Sequence, residues 1–499
     1  MAIYNDSVLS GKTMSLNISN GDSAYNTLVR NDAKLRISVG GYVESTTVLN
    51  STTVSNAGRA VATFLSGGTM VLSAGAVAET VQVLRNARLT VSTGARATDL
   101  YVSSGNVNAV VTGGDETTLV TGVNEKGDFF LSGGVASKFL MNSLGQLTVS
   151  GGGVARDTTI RFGGYLTVMS GGVATGIEQL AGGLVRADVY GGDPNTVACG
   201  TNASGEFSLS GGIASNFILY DGGAQQVFSG GSAVHTLISG QRAFQHVWSD
   251  GVASNTSVFK NGIAQIYDGG IARDTLVYSG GSMVTNDGAR ISGATVMGTL
   301  LIDSGSTGEE ESGGIAELND ITIASGGSMK VEKKADFGGT ITLNGTVILN
   351  SAMTLKDGTE LVLDITGRDS DSDAILNDWA MIQHAAGYTL SVSVGETPVC
   401  GFYKLADKAA AFAETITVKS GATELGQLTN GDEFLNGGLR YSLAVDNAST
   451  LLLTIADTIP PVLDGVPEAT IRGSYTTSAE ADTAIRLTKR VMRRCLFFI

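Results

Sequence analysis

The chain of 499 residues has little cysteine, proline, aromatic side chain or charge: three Cys, five Pro, 6% aromatic and 16% charged residues. Cys199, Cys400 and Cys495 are widely separated, which excludes a cysteine-dense disulfide scaffold and a CxxC metal motif. No apolar run reaches the roughly 18 residues of a membrane helix, so we predict no membrane-spanning segment. The start, MAIYNDSVLSGKTMSLN, shows no apolar core of a Sec signal peptide.

Glycine and apolar residues are abundant instead, with 68 Gly and 42% apolar residues. Glycine without a triplet period excludes collagen, and the apolar content excludes plain disorder, so the glycines must separate many short buried segments. The net charge of −15 repels phosphate backbones, and we therefore predict no nucleic-acid partner.

A Gly-Gly-apolar-Ala motif recurs every 19 to 20 residues along the middle of the chain. Segments of four to six residues such as QLTVS and YLTVMS alternate between the glycine corners, which is typical of half-buried strands. One such turn cannot bury its own apolar face, so successive turns must stack. The second glycines of the motif are Gly134, Gly153, Gly172, Gly212, Gly231, Gly251 and Gly270.

The repeat predicts an all-β, right-handed parallel β-solenoid (β-helix) over 36–350, because a β-propeller would need periods of 40 or more residues. We expect an N-terminal cap at 1–35 and a β-rich C-terminal domain or cap at 351–457, in which KLADKAAAFAET (404–415) is compatible with a short helix. A linker and a truncated or frameshifted tail would occupy 458–499. Two 40-residue steps predict one extra turn each; their similar segments, 111–134 and 189–212, indicate a duplicated four-turn unit.

The stretches SGGIASNFILYDGGAQQVFSGGSAVHTLISG (210–240) and SDGVASNTSVFKNGIAQIYDGGIARDTLVYSGG (249–281) resemble the passenger repeats of AIDA-type autotransporter adhesins (adhesin involved in diffuse adherence). The resemblance covers about 40–330. It implies a secreted or surface-held bacterial β-helix that mediates adhesion, auto-aggregation or biofilm formation. The long export leader and outer-membrane barrel of that family are not recognisable in the sequence, so the resemblance leaves the export route open.

Catalytic chemistry finds little support in the sequence. The histidines His235, His246 and His384 form no HxH or HExxH zinc motif. Asp157 and Asp274 recur in the ARDT copies about six turns or 29 Å apart, whereas glycoside hydrolysis needs carboxyl groups about 5 to 9.5 Å apart. We therefore expect solvated corner residues, no catalytic or metal-binding residues and no cofactor.

Other acidic groups lead to the same expectation. Asp115 and Asp193 lie in the two inserted segments, about four turns apart, and are again expected at corners. The acidic cluster RDSDSDA (368–374) is either a solvated loop or a weak calcium site.

An aromatic column is the one candidate site. Phe228, Trp248 and Tyr267 precede the motif glycine by three residues and should stack on adjacent turns. Facing outward, they would form a strip for glycan binding or self-association; facing inward, they would fill the core. Alternation with apolar neighbours leaves the facing open. Met169 and Leu209 occupy the same motif position, and the alternating neighbours are Val227, Val247 and Ile266.

The leading hypothesis is a non-enzymatic adhesin, extracellular or on the bacterial surface, that uses multivalent contacts along a rigid rod. Its partners would be itself, or glycans or proteins on host or neighbouring cells. The alternatives are a carbohydrate-active β-helix enzyme, a polysaccharide lyase or hydrolase, and a passive stalk for a distal domain.

Overall fold

The computed structural model describes residues 1–303, 314–370 and 372–458. They form an all-β parallel β-solenoid of about 18 turns, which confirms the predicted fold class. Within these ranges the one helical element is a short 3-10 helix, Trp379–Met381, and no helix there is long and apolar enough to span a membrane. The predicted tail lies outside the described residues from 459 onward.

The strands are numbered β1 to β58 in chain order. β1 to β19 are Ile3–Asn5, Val8–Ser10, Ser15–Ile18, Ser23–Tyr25, Leu28–Arg30, Lys34–Ile37, Tyr42–Glu44, Thr47–Leu49, Thr53–Asn56, Arg59–Ser66, Thr69–Leu72, Val77–Val83, Arg88–Val91, Arg96–Val102, Asn106–Val111, Leu119–Asn124, Gly127–Ser132, Val135–Ser137 and Leu140–Met141. β20 to β37 are Gln146–Val149, Val154–Arg156, Thr159–Ile160, Tyr165–Val168, Val173–Gln179, Leu184–Val189, Val197–Asn202, Gly205–Ser210, Ile213–Ser215, Ile218–Leu219, Ala224–Val227, Ser232–Val234, Leu237–Ile238, Ala243–Val247, Val252–Ser254, Ser257–Val258, Gly262–Ile266 and Ile271–Arg273. β38 to β58 are Leu276–Val277, Ser282–Thr285, Arg290–Ser292, Thr295–Val296, Thr299–Ile302, Ala316–Asn319, Thr322–Ile323, Ser328–Val331, Ala335–Gly338, Thr340–Leu343, Thr346–Leu349, Met353–Leu355, Glu360–Asp364, Ile382–His384, Thr389–Ser393, Gly401–Ala406, Ile416–Ser420, Thr423–Leu428, Glu433–Asn436, Leu439–Val445 and Leu451–Asp457.

The first of two compact units comprises Met1–Thr275 and Gly280–Met283. Its sheet 1 stacks β3, β6, β9, β11, β13, β15, β20, β23, β25, β30, β33 and β36 in that order, all parallel. Sheet 2 contains β14, β16, β17, β18, β21, β24, β26, β27, β28, β31, β34 and β37, with mixed pairing. The N-terminal residues 1–35 join this stack, since β1 pairs in parallel with β4 and β3 with β6.

The repeated motif forms a corner that leads into sheet 2. Its alanines lie in register, as Ala233 lies beside Ala253 and Ala253 beside Ala272, and all three are buried. Two residues later, Asp157 and Asp274 adopt left-handed backbone conformations and are exposed. Asp and Asn tolerate this conformation better than most residues, which explains the recurring ARDT and ASNT letters.

Each 40-residue step contains a β-hairpin, so the prediction of an extra turn is wrong. β16 pairs in parallel with β14 but antiparallel with β17, and β17 pairs antiparallel with β18. Sheet 1 passes directly from β15 to β20 across the same segment. The second hairpin, β26 and β27, repeats this arrangement.

The hairpin turns explain the reversal of the chain. The Asn124 side chain accepts a hydrogen bond from the Lys126 amide at 2.7 Å, and Gly127 follows with φ of 102°. In the second hairpin, Asn202 accepts from the Ser204 amide at 2.8 Å, and Gly205 has φ of 110°. In both hairpins a capping Asn and a glycine with positive φ close the tight reversal of the chain.

The second unit comprises Leu276–Ser279 and the chain from Val284. Parallel pairing continues past residue 350, from β50 to β52 and on to β54, where β55 closes the series as an antiparallel strand. β53, β58, β57 and β56 form a separate antiparallel sheet. The short helix expected at 404–415 is wrong: 404–406 belong to β53, whose Tyr403 pairs with Leu453 of β58.

Candidate functional site

The predicted aromatic column lies on sheet 1. β30, β33 and β36 are parallel and in register, so that Val227, Val247 and Ile266 stand beside one another and are almost completely buried. Neighbouring residues of a strand point to opposite sides of the sheet. The aromatic residue that directly follows each of these buried residues is therefore directed outward and is only half-buried. The structure thus answers the open question of facing: the column faces outward.

Four rings form the column. Tyr190 stacks on Phe228 with ring centroids 4.5 Å apart and planes 4° from parallel. Phe228 and Trp248 follow at 6.2 Å and 6°, and Trp248 and Tyr267 at 4.0 Å and 3°. We call Tyr190, Phe228, Trp248 and Tyr267 the aromatic ladder. Because Phe228 and Trp248 each have a parallel ring on both sides, their faces point along the stack and the ladder presents ring edges outward.

Tyr190 replaces a residue that the motif spacing had placed in the column. Leu209 belongs to the antiparallel strand β27 and is buried, so it does not join the ladder. Val189 at the end of β25 pairs with Val227, which brings Tyr190 beside Phe228. The sequence feature that could have revealed Tyr190 is the VYGG corner, which was not recognised because it lacks the alanine that defines the motif.

Two more rings extend the site along β33. Phe244 and His246 alternate with the buried Gln245 and share the outward side of Trp248. The His246 ring stacks on Phe244 at 4.4 Å and meets Trp248 edge-on at 5.9 Å and Tyr267 at 5.3 Å. We call the ladder with Phe244 and His246 the aromatic face. Sequence reasoning examined His246 only as a metal ligand and missed Phe244.

Polar groups border the aromatic face. The Trp248 indole Nε1 donates a hydrogen bond to Gln226 Oε1 at 3.3 Å. Burial, assisted by the positive charge of Arg186, lowers the pKa of His246 to about 4. Burial raises the pKa of Asp188, which pairs with Gln226 in the register, and Arg186 opposes that rise. At neutral pH the imidazole is therefore uncharged and offers one hydrogen-bond donor and one acceptor.

The carboxylates considered as catalytic candidates have structural contacts. Asp115 Oδ1 accepts a hydrogen bond from the Thr117 amide at 3.0 Å and from the Thr118 amide at 3.2 Å. Burial raises the pKa of Asp115, but the hydrogen bonds lower it further, to about 2. Asp193 makes the equivalent bond to the Thr196 amide at 3.2 Å. Both carboxylates hold the loop that precedes a hairpin.

The calcium alternative concerned residues 368–374, of which 371 lies outside the described residues. Arg368 donates to the backbone carbonyls of Gly345 and Asp373. In 1–303, 314–370 and 372–458 there is no cluster of three or more His, Cys, Asp or Glu side chains arranged to hold a metal.

Residues 121–183 and 199–262 match the family model described as "Adhesin of bacterial autotransporter system, probable stalk". The resemblance to AIDA-type adhesins is confirmed. Each matched range begins within the first strand of a hairpin, and the second range includes Phe228, Phe244, His246 and Trp248. Tyr190 lies between the matched ranges and Tyr267 beyond them.

The chain was also compared with curated proteins and with solved structures. No curated protein matches the chain. Among solved structures, the "Crystal structure of TibC-catalyzed hyper-glycosylated TibA55-350 fragment" is 26% identical, with 66% of this chain and 100% of that chain covered and a TM-score of 0.26.

Proposed function

We propose that the chain is a secreted or cell-surface bacterial adhesin that acts, without catalysis, through many weak contacts along a rigid β-solenoid. The outward aromatic face is the observation that carries the proposal, because six rings concentrated on one side of the stack are a surface for a partner. The AIDA-type repeats support the adhesin class. Repetition then adds weak contacts into avidity.

The partner contacts the aromatic face through ring edges and polar groups. The faces of Phe228 and Trp248 point toward neighbouring rings, so a sugar ring does not lie flat on them. Gln226 and His246 add hydrogen-bonding groups beside the apolar edges. This mixture suits another copy of the chain, or a glycan or protein on a neighbouring or host cell, that combines apolar and hydroxyl or amide groups.

Adhesion can be measured with beads coated with the full chain, by scoring bead clumping and attachment to cell monolayers. We expect Phe228→Ser combined with Trp248→Ser to reduce both signals. The matched control is Tyr165→Ser, which removes another outward, half-buried ring from β23 of the same sheet. Coated beads that neither clump nor attach would contradict the proposal.

A passive stalk is the second candidate, because the ladder rings contact one another closely. Stacked aromatic pairs each contribute about 0.5 to 1.5 kcal/mol beyond the area they bury, so the rings stabilise the rod even without a partner. If Trp248→Ser lowers the urea midpoint but leaves clumping and attachment unchanged, the stalk is the better description.

The remaining alternative, a polysaccharide lyase or hydrolase, predicts bond cleavage. The structural roles of Asp115 and Asp193 favour the non-enzymatic proposal. Incubation of the full chain with acidic polysaccharides, followed by sizing of the products, should show intact polymers. Shortened polymers would support the enzyme instead.

A further inference from the structure

The two hairpins create equivalent grooves on sheet 2. The first groove has a volume of about 430 Å³ and lies where β14, β16 and β17 meet. Tyr101 pairs with Val123, Val123 with Asp128, and Thr121 with Phe130 across these strands. Directly paired residues share a side of a sheet, so these side chains form the floor of one outward surface.

Three large apolar side chains are exposed in this groove. Tyr101 is 55%, Val123 45% and Phe130 42% accessible to solvent. Single exposed apolar residues are common, but a contiguous group in a concave surface is typical of an interaction site. Leu100 and Phe129, which also line the groove, are buried and anchor its base.

Two carboxylates flank the apolar floor. Asp99 and Asp128 are exposed, and within the described part of the chain their side-chain carboxylates form no hydrogen bond or ion pair. Lys126 at the hairpin tip forms an ion pair with Glu178 at 2.7 Å. The groove therefore offers two negative charges on either side of an apolar surface, on a protein whose net charge is −15.

We propose that the groove formed by Asp99, Tyr101, Val123, Asp128 and Phe130 binds a basic, apolar peptide segment of a partner protein. Apolar side chains of the segment cover Tyr101, Val123 and Phe130. Lysine or arginine side chains pair with Asp99 and Asp128. This charge complementarity selects the partner, because an acidic or neutral segment leaves the carboxylates unpaired. The inference is independent of the aromatic face on sheet 1.

The second groove provides an internal control. It has a volume of about 480 Å³ and the same backbone arrangement, formed by β24, β26 and β27. Thr201 pairs with Glu206, as Val123 pairs with Asp128, and Ser208 occupies the place of Phe130. The copy therefore keeps the acidic residue but has no exposed aromatic floor. The chain itself shows that this fold accepts Thr and Ser at these two positions.

The test measures fluorescence anisotropy of a labelled ten-residue peptide of alternating leucine and lysine with the full chain. V123T combined with F130S should weaken binding at least about tenfold, because these contacts form the centre of the apolar floor. D99N combined with D128N should also weaken binding and reduce its dependence on ionic strength. The control T201V combined with S208A, in the second groove, should leave the affinity unchanged.

Three outcomes would overturn the proposal. The first is unchanged affinity of V123T/F130S with a native circular dichroism spectrum. The second is equal binding of a serine and lysine peptide or of a leucine and glutamate peptide, because either result removes one half of the recognition chemistry. The third is concentration-dependent sedimentation of the peptide-free chain that V123T/F130S abolishes, since the groove would then hold a second copy.

Discussion

A buried glutamine network lies directly under the aromatic face and makes its stability testable. Gln225 and Gln245 point into the solenoid and are almost completely buried. Gln245 Nε2 donates to Gln225 Oε1 at 2.7 Å and to Thr236 Oγ1 at 3.1 Å. Gln245 Oε1 accepts from Thr256 Oγ1 at 3.1 Å. One side chain thus links neighbouring turns of the stack through three hydrogen bonds.

Gln245→Met keeps the side-chain volume but removes all three hydrogen bonds. Each is worth about 0.5 to 1.5 kcal/mol net, and a buried hydroxyl left without a partner, here that of Thr256, costs about 1 to 3 kcal/mol. The thioether offsets about 1 to 2 kcal/mol through added apolar burial. We expect the free energy of unfolding to fall by about 2 to 4 kcal/mol. Urea titration followed by tryptophan fluorescence, to which Trp248 beside Gln245 and the sequence-distant Trp379 both contribute, measures it.

The matched control is Gln265→Met, an outward glutamine on β36 that should change stability by less than about 0.5 kcal/mol. Combining Gln225→Met with Gln245→Met should cost less than the sum of the two single changes, because both residues share one network. A loss below about 1 kcal/mol for Gln245→Met, with an unchanged urea slope, would refute the reasoning about orphaned buried groups.

Three further predictions concern the hairpins and the face. Lys126→Ala removes an ion pair with Glu178 between half-exposed side chains. The free energy of global unfolding should change by at most about 1 kcal/mol. Amide hydrogen exchange should nevertheless become faster in the first hairpin. Gly200→Ala directs a methyl group into a backbone oxygen of the preceding turn and should strongly lower the urea midpoint of unfolding. In the control Gly151→Ala, the added methyl carbon would have its nearest neighbouring atom 3.7 Å away, so the midpoint should stay unchanged. The pKa of His246 is lowered to about 4 in the folded chain, so as the pH drops the unfolded chain binds a proton at this residue first. The free energy of unfolding should therefore fall as the pH drops from about 6.5 to 4. His246→Asn should flatten that part of the stability profile, and an unchanged slope would contradict the prediction.

The solenoid and its corners could be predicted because the same physical demand recurs in every turn. A glycine, a buried alanine such as Ala253, and a left-handed Asn or Asp such as Asn255 occupy fixed places in the motif. The hairpins were missed because glycine spacing measures chain length between corners and not chain direction. The informative signal was turn chemistry, an Asn that accepts from an amide two residues later and a following Gly127 or Gly205.

The membership of the aromatic column could be predicted better than its facing. On sheet 1 the inward side carries Val247 but also Gln245, and the outward side carries Phe244 as well as Gln226. Polarity therefore does not distinguish the two sides of these strands. The inward glutamines are accommodated because they bond to each other and to buried threonines, a pairing between turns that no single repeat displays.

Comparison of the two hairpins separates features that folding requires from features that folding does not explain. Duplication copies the backbone, so features common to both copies, such as the Asn turn and the Asp115 or Asp193 loop, are explained by folding. Features that differ between copies are not required by the fold. The apolar floor with Phe130 has Ser208 as its counterpart, although both residues pair in the same way. Exposure of a large ring where the fold accepts a serine weakens solubility and contributes little to folding, and a bound partner would account for it.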